Sequence, residues 1–150
     1  TNLYGPNDNY DLQNSHVLPA LLRKFHSAVV ENKPSVEIWG TGSPLREFMH
    51  VDDLADACLY LMLNYDGKLF VNAGTGVDVS IRELAEIVKR VTGFQGELLF
   101  DTSKPDGTPR KLMDVSRLND MGWKHKIDLE DGVRMVYEEV KQSDLFSISA

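Results

Sequence analysis

The sequence has little cysteine: Cys58 stands alone among 150 residues. No internal disulfide can form, and a zinc site built on several thiolates is excluded. The four histidines never fall at i and i+4, the spacing that sets two imidazoles on one helix face, so no metal is expected. The run His50-Val51-Asp52-Asp53 mixes imidazole with carboxylates, but helix capping accounts for its aspartates. No stretch of about 18 apolar residues occurs, and no basic segment leads into an apolar one, so neither a membrane span nor a leader is expected, and a cytoplasmic protein is. A basic stripe is missing too. The formal charge of −7 is spread along the chain, which argues against nucleic acid or an anionic membrane as partner. Neither G-x-G-x-x-G nor G-x-x-x-x-G-K-[ST] is present, so the chain has no phosphate cradle of those types. There is no internal repeat and no initiator Met; the opening Thr1-Asn2-Leu3-Tyr4-Gly5-Pro6 reads as a cut within something larger.

What is present is an alternation of helical and short extended patterns. Tyr4 to Ser15 is a polar loop rich in Gly, Pro, Asn and Asp. From Val17, the residues Leu18, Leu21, Leu22, Phe25, Ala28 and Val29 fall on one helical face, with Pro19 tolerated in the first turn. Val36 to Trp39 alternates as a strand, and Gly40, Gly42 and Pro44 break it into a loop. Asp52 or Asp53 should cap a helix running to about Asn64, with Leu54, Ala57, Leu61 and Met62 inward and Cys58 buried among them. Lys68 to Asn72 reads as a short strand. Ser80-Ile81-Arg82-Glu83 is a capping box, and Gly93 stops the helix it opens. Glu97 to Phe100 reads as a strand, and the prolines and Asp106-Gly107 of the next eleven residues predict irregular structure through Lys111. A short helix over Asp114 to Met121 and an amphipathic one over Asp128 to about Gln142 follow, then a fraying terminus. This order predicts a mixed α/β chain, with too few strands for a self-contained doubly wound sheet.

The chemistry concentrates around Trp39 to Ala57. Trp39 and Arg46 flank one tight loop, an indole offering a stacking face and a guanidinium offering paired donors to phosphate oxygens. That pairing suits an anionic ligand with a flat ring. Equally, Trp39 could be a core residue beside a surface Arg46 paired with Glu47. Lys24, Lys104, Arg110 and Lys111 recur beside loops and add to a phosphate-binding reading. His16 stands where the polar loop becomes the helix that carries Lys24. It is either a proton donor or acceptor facing a cleft, or a helix-start residue bonded to nearby backbone.

Taken together, T-N-L-Y-G-P, N-S-H-V-L-P-A-L-L-R-K-F-H, W-G-T-G-S-P-L-R-E-F-M-H-V-D-D-L-A, V-N-A-G-T-G, S-I-R-E-L-A and D-T-S-K-P-D-G-T-P-R-K-L-M-D-V-S-R-L resemble the GDP-L-fucose synthase family of extended short-chain dehydrogenases. The resemblance covers nearly the whole chain. It implies the C-terminal part of an enzyme that turns GDP-4-dehydro-6-deoxy-D-mannose into GDP-L-fucose, epimerising C3 and C5 and reducing C4 with NADPH. By matching position, His16 resembles the family's proton donor. Thr1, Asn2 and Leu3, with His16, resemble contacts to NADP, while Val17, Leu21, Lys24, Trp39, Arg46, Asp106 and Lys111 resemble contacts to the GDP-sugar. The family's cofactor loop, Tyr-x-x-x-Lys pair, partner Cys and dimer-forming helices would lie ahead of Thr1. Residues from about 2 to 50 and from about 77 to 150 would then form a substrate domain, and 51–76 a piece of the Rossmann domain. A homodimer is implied for the intact enzyme, and inactivity for this portion alone. Two alternatives are another extended dehydrogenase acting on nucleotide sugars, such as a 4-epimerase or dehydratase, and a non-catalytic nucleotide-sugar binding module.

Overall fold

The computed structural model describes residues 1–143 and Phe146. The expected fraying terminus lies largely outside them. Six strands and five helices alternate among the described residues, giving the mixed α/β chain that the sequence pattern predicts. The longest strand among the described residues is β3 (Leu45–His50), and it organises one sheet. β1 (Asn2–Tyr4) pairs parallel to it on one side, β4 (Asp78–Ser80) antiparallel and β6 (Arg110–Lys111) parallel over its first residues. β2 (Ser35–Trp39) and β5 (Glu97–Asp101) form a separate parallel pair.

α1 (Val17–Val30) forms where the apolar stripe predicts it, and buries Leu18, Pro19, Leu21, Leu22, Phe25 and Ala28. Val29, at the edge of that stripe, is exposed. α3 (Ile81–Thr92) has the predicted box: the Ser80 hydroxyl accepts from Glu83 N–H, and the Glu83 carboxylate accepts from Ser80 N–H. With α5 (Leu129–Val140) these helices enclose the larger core, centred on Leu22, Phe25, Leu84, Val88 and Val133. A smaller core of Met49, Ala57, Leu118 and Trp123 lies under α2 (Val51–Asn64) and α4 (Ser116–Asp120).

Several expectations give way here. α2 is capped by His50, whose Nδ1 accepts from Asp52 N–H at 3.2 Å, rather than by either aspartate. Asp53 is only 3 % exposed because its two carboxylate oxygens accept from Lys126 and Ile127 N–H, fastening the α4–α5 connection to the helix. Cys58 is exposed, not buried. It lies about 100° round the helix from Ala57, which faces the small core, so the apolar surface of α2 exceeds what that core can cover. Leu59, Met62 and Leu63 are exposed with it. Lys68 to Asn72 is not a strand, as no strand lies beside it to share a ladder among the described residues. Instead, Arg117 donates to the Phe70 carbonyl and the Asn72 amide to that of Asp114. The irregular segment after Asp101 ends earlier than expected, since Pro109 is its last proline and Arg110 and Lys111 are free to pair with β3.

Candidate functional site

Strand alternation decides the fate of Trp39. Val36 and Ile38 point into the core, so Glu37 and Trp39 point out, and the indole is 59 % exposed at the strand's end. Its ring is nevertheless attended by cations: Lys24 Nζ lies 5.3 Å and Lys104 Nζ 5.6 Å from the ring. An ammonium within about 6 Å of an indole face is attracted by its quadrupole. Lys24 also donates to the Glu37 carbonyl at 3.1 Å, and burial pushes its ammonium pKa down. Beside Trp39 a cleft of about 260 Å³ opens between α1 and β2, walled by Val17, Leu21, Ile38 and Ile81, with Lys24 and Ser15 as polar groups. Larger hollows exist: one of about 420 Å³ has no aromatic wall, one of about 460 Å³ is bounded by two aspartates, and one of about 390 Å³ is lined by Tyr60, Trp123, Lys124 and Lys126 with Asp56, where Trp123 is buried and already bonded to Asp56.

Arg46 lies one strand away. Its backbone partner in β6 is Lys111, so the two cations are neighbours across a parallel ladder. The Arg46 guanidinium donates to the Leu45 carbonyl at 2.7 Å and runs close to Gly107. The expected alternative, an Arg46 paired with Glu47, is overturned. Glu47 is fully buried, and its carboxylate accepts from Gly76 N–H at 2.7 Å, because alternation along β3 sends the two side chains to opposite faces. Arg110 is also withdrawn from the set of free cations: it binds Asp78 through Nε at 2.6 Å and Nη2 at 3.2 Å. That pairing holds the Asp78 carboxyl below the ordinary range.

Asp106 bridges the two groups. Its carboxylate accepts from Thr41 N–H at 2.9 Å and from the Thr41 hydroxyl at 2.7 Å, in the turn between Trp39 and Arg46. His16 is the N-cap residue of α1, exposed, and its side chain makes no cap hydrogen bond, so a backbone-bonded role is not what the structure gives it. Thr1, Asn2 and Leu3 enter β1 beside Glu47 and Phe48. The Thr1 hydroxyl and the Asn2 amide are both turned onto the Glu47 carbonyl, and Leu3 is left exposed at the sheet edge. Thr41, Arg82 and Ser15 belong to the neighbourhood but carry no sequence signal, being ordinary residues until the chain is folded. No cluster of three or more His, Cys, Asp or Glu gathers among the described residues, and none of their helices is long and apolar enough to cross a membrane.

Comparison with known proteins narrows the class in two steps. Residues 1–74 match the NAD dependent epimerase/dehydratase family, which agrees with a likeness in fold to the extended short-chain dehydrogenases. Within that class the chain is similar to proteins named GDP-L-fucose synthases. It is 62 % identical over 138 residues to putative GDP-L-fucose synthase 2 of Arabidopsis thaliana, covering 92 % of this chain and 42 % of that protein. It is 52 % identical over 147 residues to GDP-L-fucose synthase of Escherichia coli K12, covering 92 % and 46 %. Among solved structures, a GDP-mannoheptose C4 reductase from Campylobacter jejuni with NADP bound superposes with a TM-score of 0.82 at 45 % identity, over 93 % of this chain and 51 % of that one. A GDP-L-fucose synthetase from Naegleria fowleri bound to NADP reaches 0.87 at 29 % identity, over 95 % and 45 %. The chain thus spans less than half the length of the curated relatives it matches.

Proposed function

We propose that this chain is the C-terminal portion of a GDP-L-fucose synthase, a cytoplasmic, homodimeric enzyme of two activities that epimerises GDP-4-dehydro-6-deoxy-D-mannose at C3 and C5 and reduces it at C4. The observation that carries this reading is the exposed Trp39 with two ammonium groups at its ring, joined by one short turn to the strand on which Arg46 neighbours Lys111. An aromatic platform with neighbouring cations fits a nucleoside diphosphate, the base on the ring and the diphosphate on guanidinium and ammonium. Val17 and Leu21 supply the apolar wall. The intact enzyme's remaining residues, ahead of Thr1, would complete the sugar end, and this portion alone would not turn over substrate. The division into a substrate part, 2–50 with 77–150, and a Rossmann part, 51–76, is carried by the family resemblance alone; the small core spans it, packing Ala57, Val71 and Ala73 with Met49, Leu118 and Trp123.

NADPH, when bound, would supply the hydride for the reduction. This chain's residues fit that cofactor only along one edge: Leu3 is free, but Thr1 and Asn2 already hold Glu47, and no glycine-rich cradle is present. His16, unbonded at the mouth of α1, is suited to hand a proton to the sugar carbon during epimerisation.

The experiment is GDP affinity, measured by calorimetry on the full-length enzyme and its Arg46→Ala variant at matched folded fractions. Loss of a charge-assisted contact worth about 1.5 to 3 kcal/mol predicts binding weaker by roughly ten- to a hundredfold. Equal affinities would remove Arg46 from the site and the reading with it.

A further inference from the structure

Thr41 lies on an exposed turn, where polar groups ordinarily face water, yet all of its own are taken by protein. Its N–H and hydroxyl both donate to Asp106, at 2.9 and 2.7 Å. Its carbonyl accepts from Arg82 Nη2 at 3.1 Å. Arg82 reaches the turn a second time, its backbone N–H donating to the Gly42 carbonyl at 2.9 Å, and its guanidinium lies 3.6 Å from the Phe100 ring. The turn is therefore held from two sides by elements remote in sequence, the 101–109 loop and the first turn of α3.

The turn itself needs such holding. Gly40 and Gly42 adopt positive φ, 79° and 77°, a region that L side chains rarely enter and from which glycine escapes readily. A Cβ on Gly40 would meet the Asp106 carboxylate at 2.3 Å, so the carboxylate packs directly on the glycine. Two flexible glycines separate Trp39 from Arg46. Without an external clamp, the indole and guanidinium would sample many relative positions, and a ligand spanning both would have to order them on binding.

We infer that Thr41, Asp106 and Arg82 form a clasp that presets the spacing between the Trp39 ring and the Arg46 guanidinium, and that Asp106 acts through Thr41 as a positioning residue instead of as a direct ligand contact. The inference rests on the nucleoside diphosphate reading of this site. It gives Thr41 and Arg82 a role that their exposure alone would not suggest, and it changes the role expected of Asp106. The bonds that matter run between side chains and a turn backbone, so the clasp stabilises one geometry of the binding surface more than it stabilises the fold.

A double-mutant cycle on the full-length enzyme tests it, with GDP affinity as the readout. Thr41→Val keeps the shape and removes the hydroxyl; Asp106→Asn weakens the acceptor. Each is expected to weaken GDP binding by roughly five- to twentyfold, and the double variant by clearly less than the product of the two, because the shared Thr41–Asp106 link is broken once while the Thr41 hydroxyl's bonds to Ser43 and the Thr41 N–H bond to Asp106 are lost singly. Thr41→Ser, which keeps the hydroxyl, should restore affinity to within about twofold of the parent. The GDP-sugar KM should rise in Thr41→Val with little change in kcat, since the diphosphate end is bound alike in ground and transition states. If Asp106→Asn weakens GDP while Thr41→Val does not, or if the two losses multiply, Asp106 meets the ligand itself and the clasp is wrong. Failure of the parent enzyme to bind GDP would instead overturn the reading on which the clasp rests.

Discussion

His16 is a helix-cap residue whose ring caps nothing, and the proposed function gives that free ring a proton to transfer. In the full-length enzyme, His16→Gln should slow solvent isotope exchange at C3 and C5 of the substrate by roughly a hundredfold or more, the usual size of acid–base catalysis. An unchanged exchange rate, followed by NMR, would leave His16 only as a spacer before α1. At this scale the sequence is legible where local pattern decides exposure. Trp39 follows Ile38 at the outward position of a recognisable strand, and the glycines after it announce a turn. Glu47 defeats the same logic. A carboxylate ordinarily signals surface, yet this one is buried: its Oε1 accepts from Gly76 N–H and the Thr75 hydroxyl, nearly thirty residues on, while its Oε2 has no partner among the described residues. Nothing adjacent to Glu47 in the chain foretells that partner. Asp106 is similar: its place in a loop is evident, but its two bonds to Thr41 arise only when loop and turn meet.

Among the elements, those with long periodic patterns or explicit caps are the ones the sequence predicts. α1 and α3 form as expected because a wide apolar stripe, a capping box and a terminal glycine all agree. β1, β4 and β6 are two or three residues each, too short for alternation to register, and they exist because β3 offers them a ladder. The beginning of α2 shows a competition that local rules miss. Asp52 and Asp53 both look like caps, but His50 takes the cap and Asp53 is drawn to Lys126 and Ile127. Asp53→Ala should therefore leave two backbone N–H groups without acceptors and cost about 2 to 4 kcal/mol in urea denaturation. Asp52→Ala, which removes an exposed carboxylate, should cost well under about 1 kcal/mol. Equal costs would mean that Asp53 does no more than a surface residue.

For the whole molecule, charge sets the response to acid in two stages. Burial, aided by the nearby Lys141 ammonium, pushes the His26 imidazole below its ordinary pKa. The unfolded chain then takes up this proton first, so the stability contributed by neutral His26 is complete above about pH 6.5 and declines as pH falls through the interval beneath it. Asp56, Asp78 and Glu130 are held below the ordinary carboxylate range by hydrogen bonds from Trp123, Arg110 and Arg90. Their contributions are present above about pH 4 and are lost as pH drops through their depressed values. Thermal melting should be level from about pH 8 to 7, decline from about 6.5, and fall again below 4; His26→Gln should remove the first decline and spare the second. A first decline unaltered by that substitution would assign it to another group. The strand pairings have a further consequence, in time instead of energy. β2 and β5 are joined across roughly 60 residues, β3 and β6 across a similar span, and even the antiparallel β3 and β4 are separated by a helix, so among the described residues no hairpin is present to nucleate either sheet. Chain entropy must be surrendered over long loops before any ladder rewards it, and helices α1, α3 and α5 can form well before their strands meet. The Trp39 turn, the Asp106 loop and the Arg46–Lys111 neighbours all depend on those late closures. A partly folded chain would thus carry its helices before the Trp39 turn, the Asp106 loop and the Arg46–Lys111 ladder are brought together.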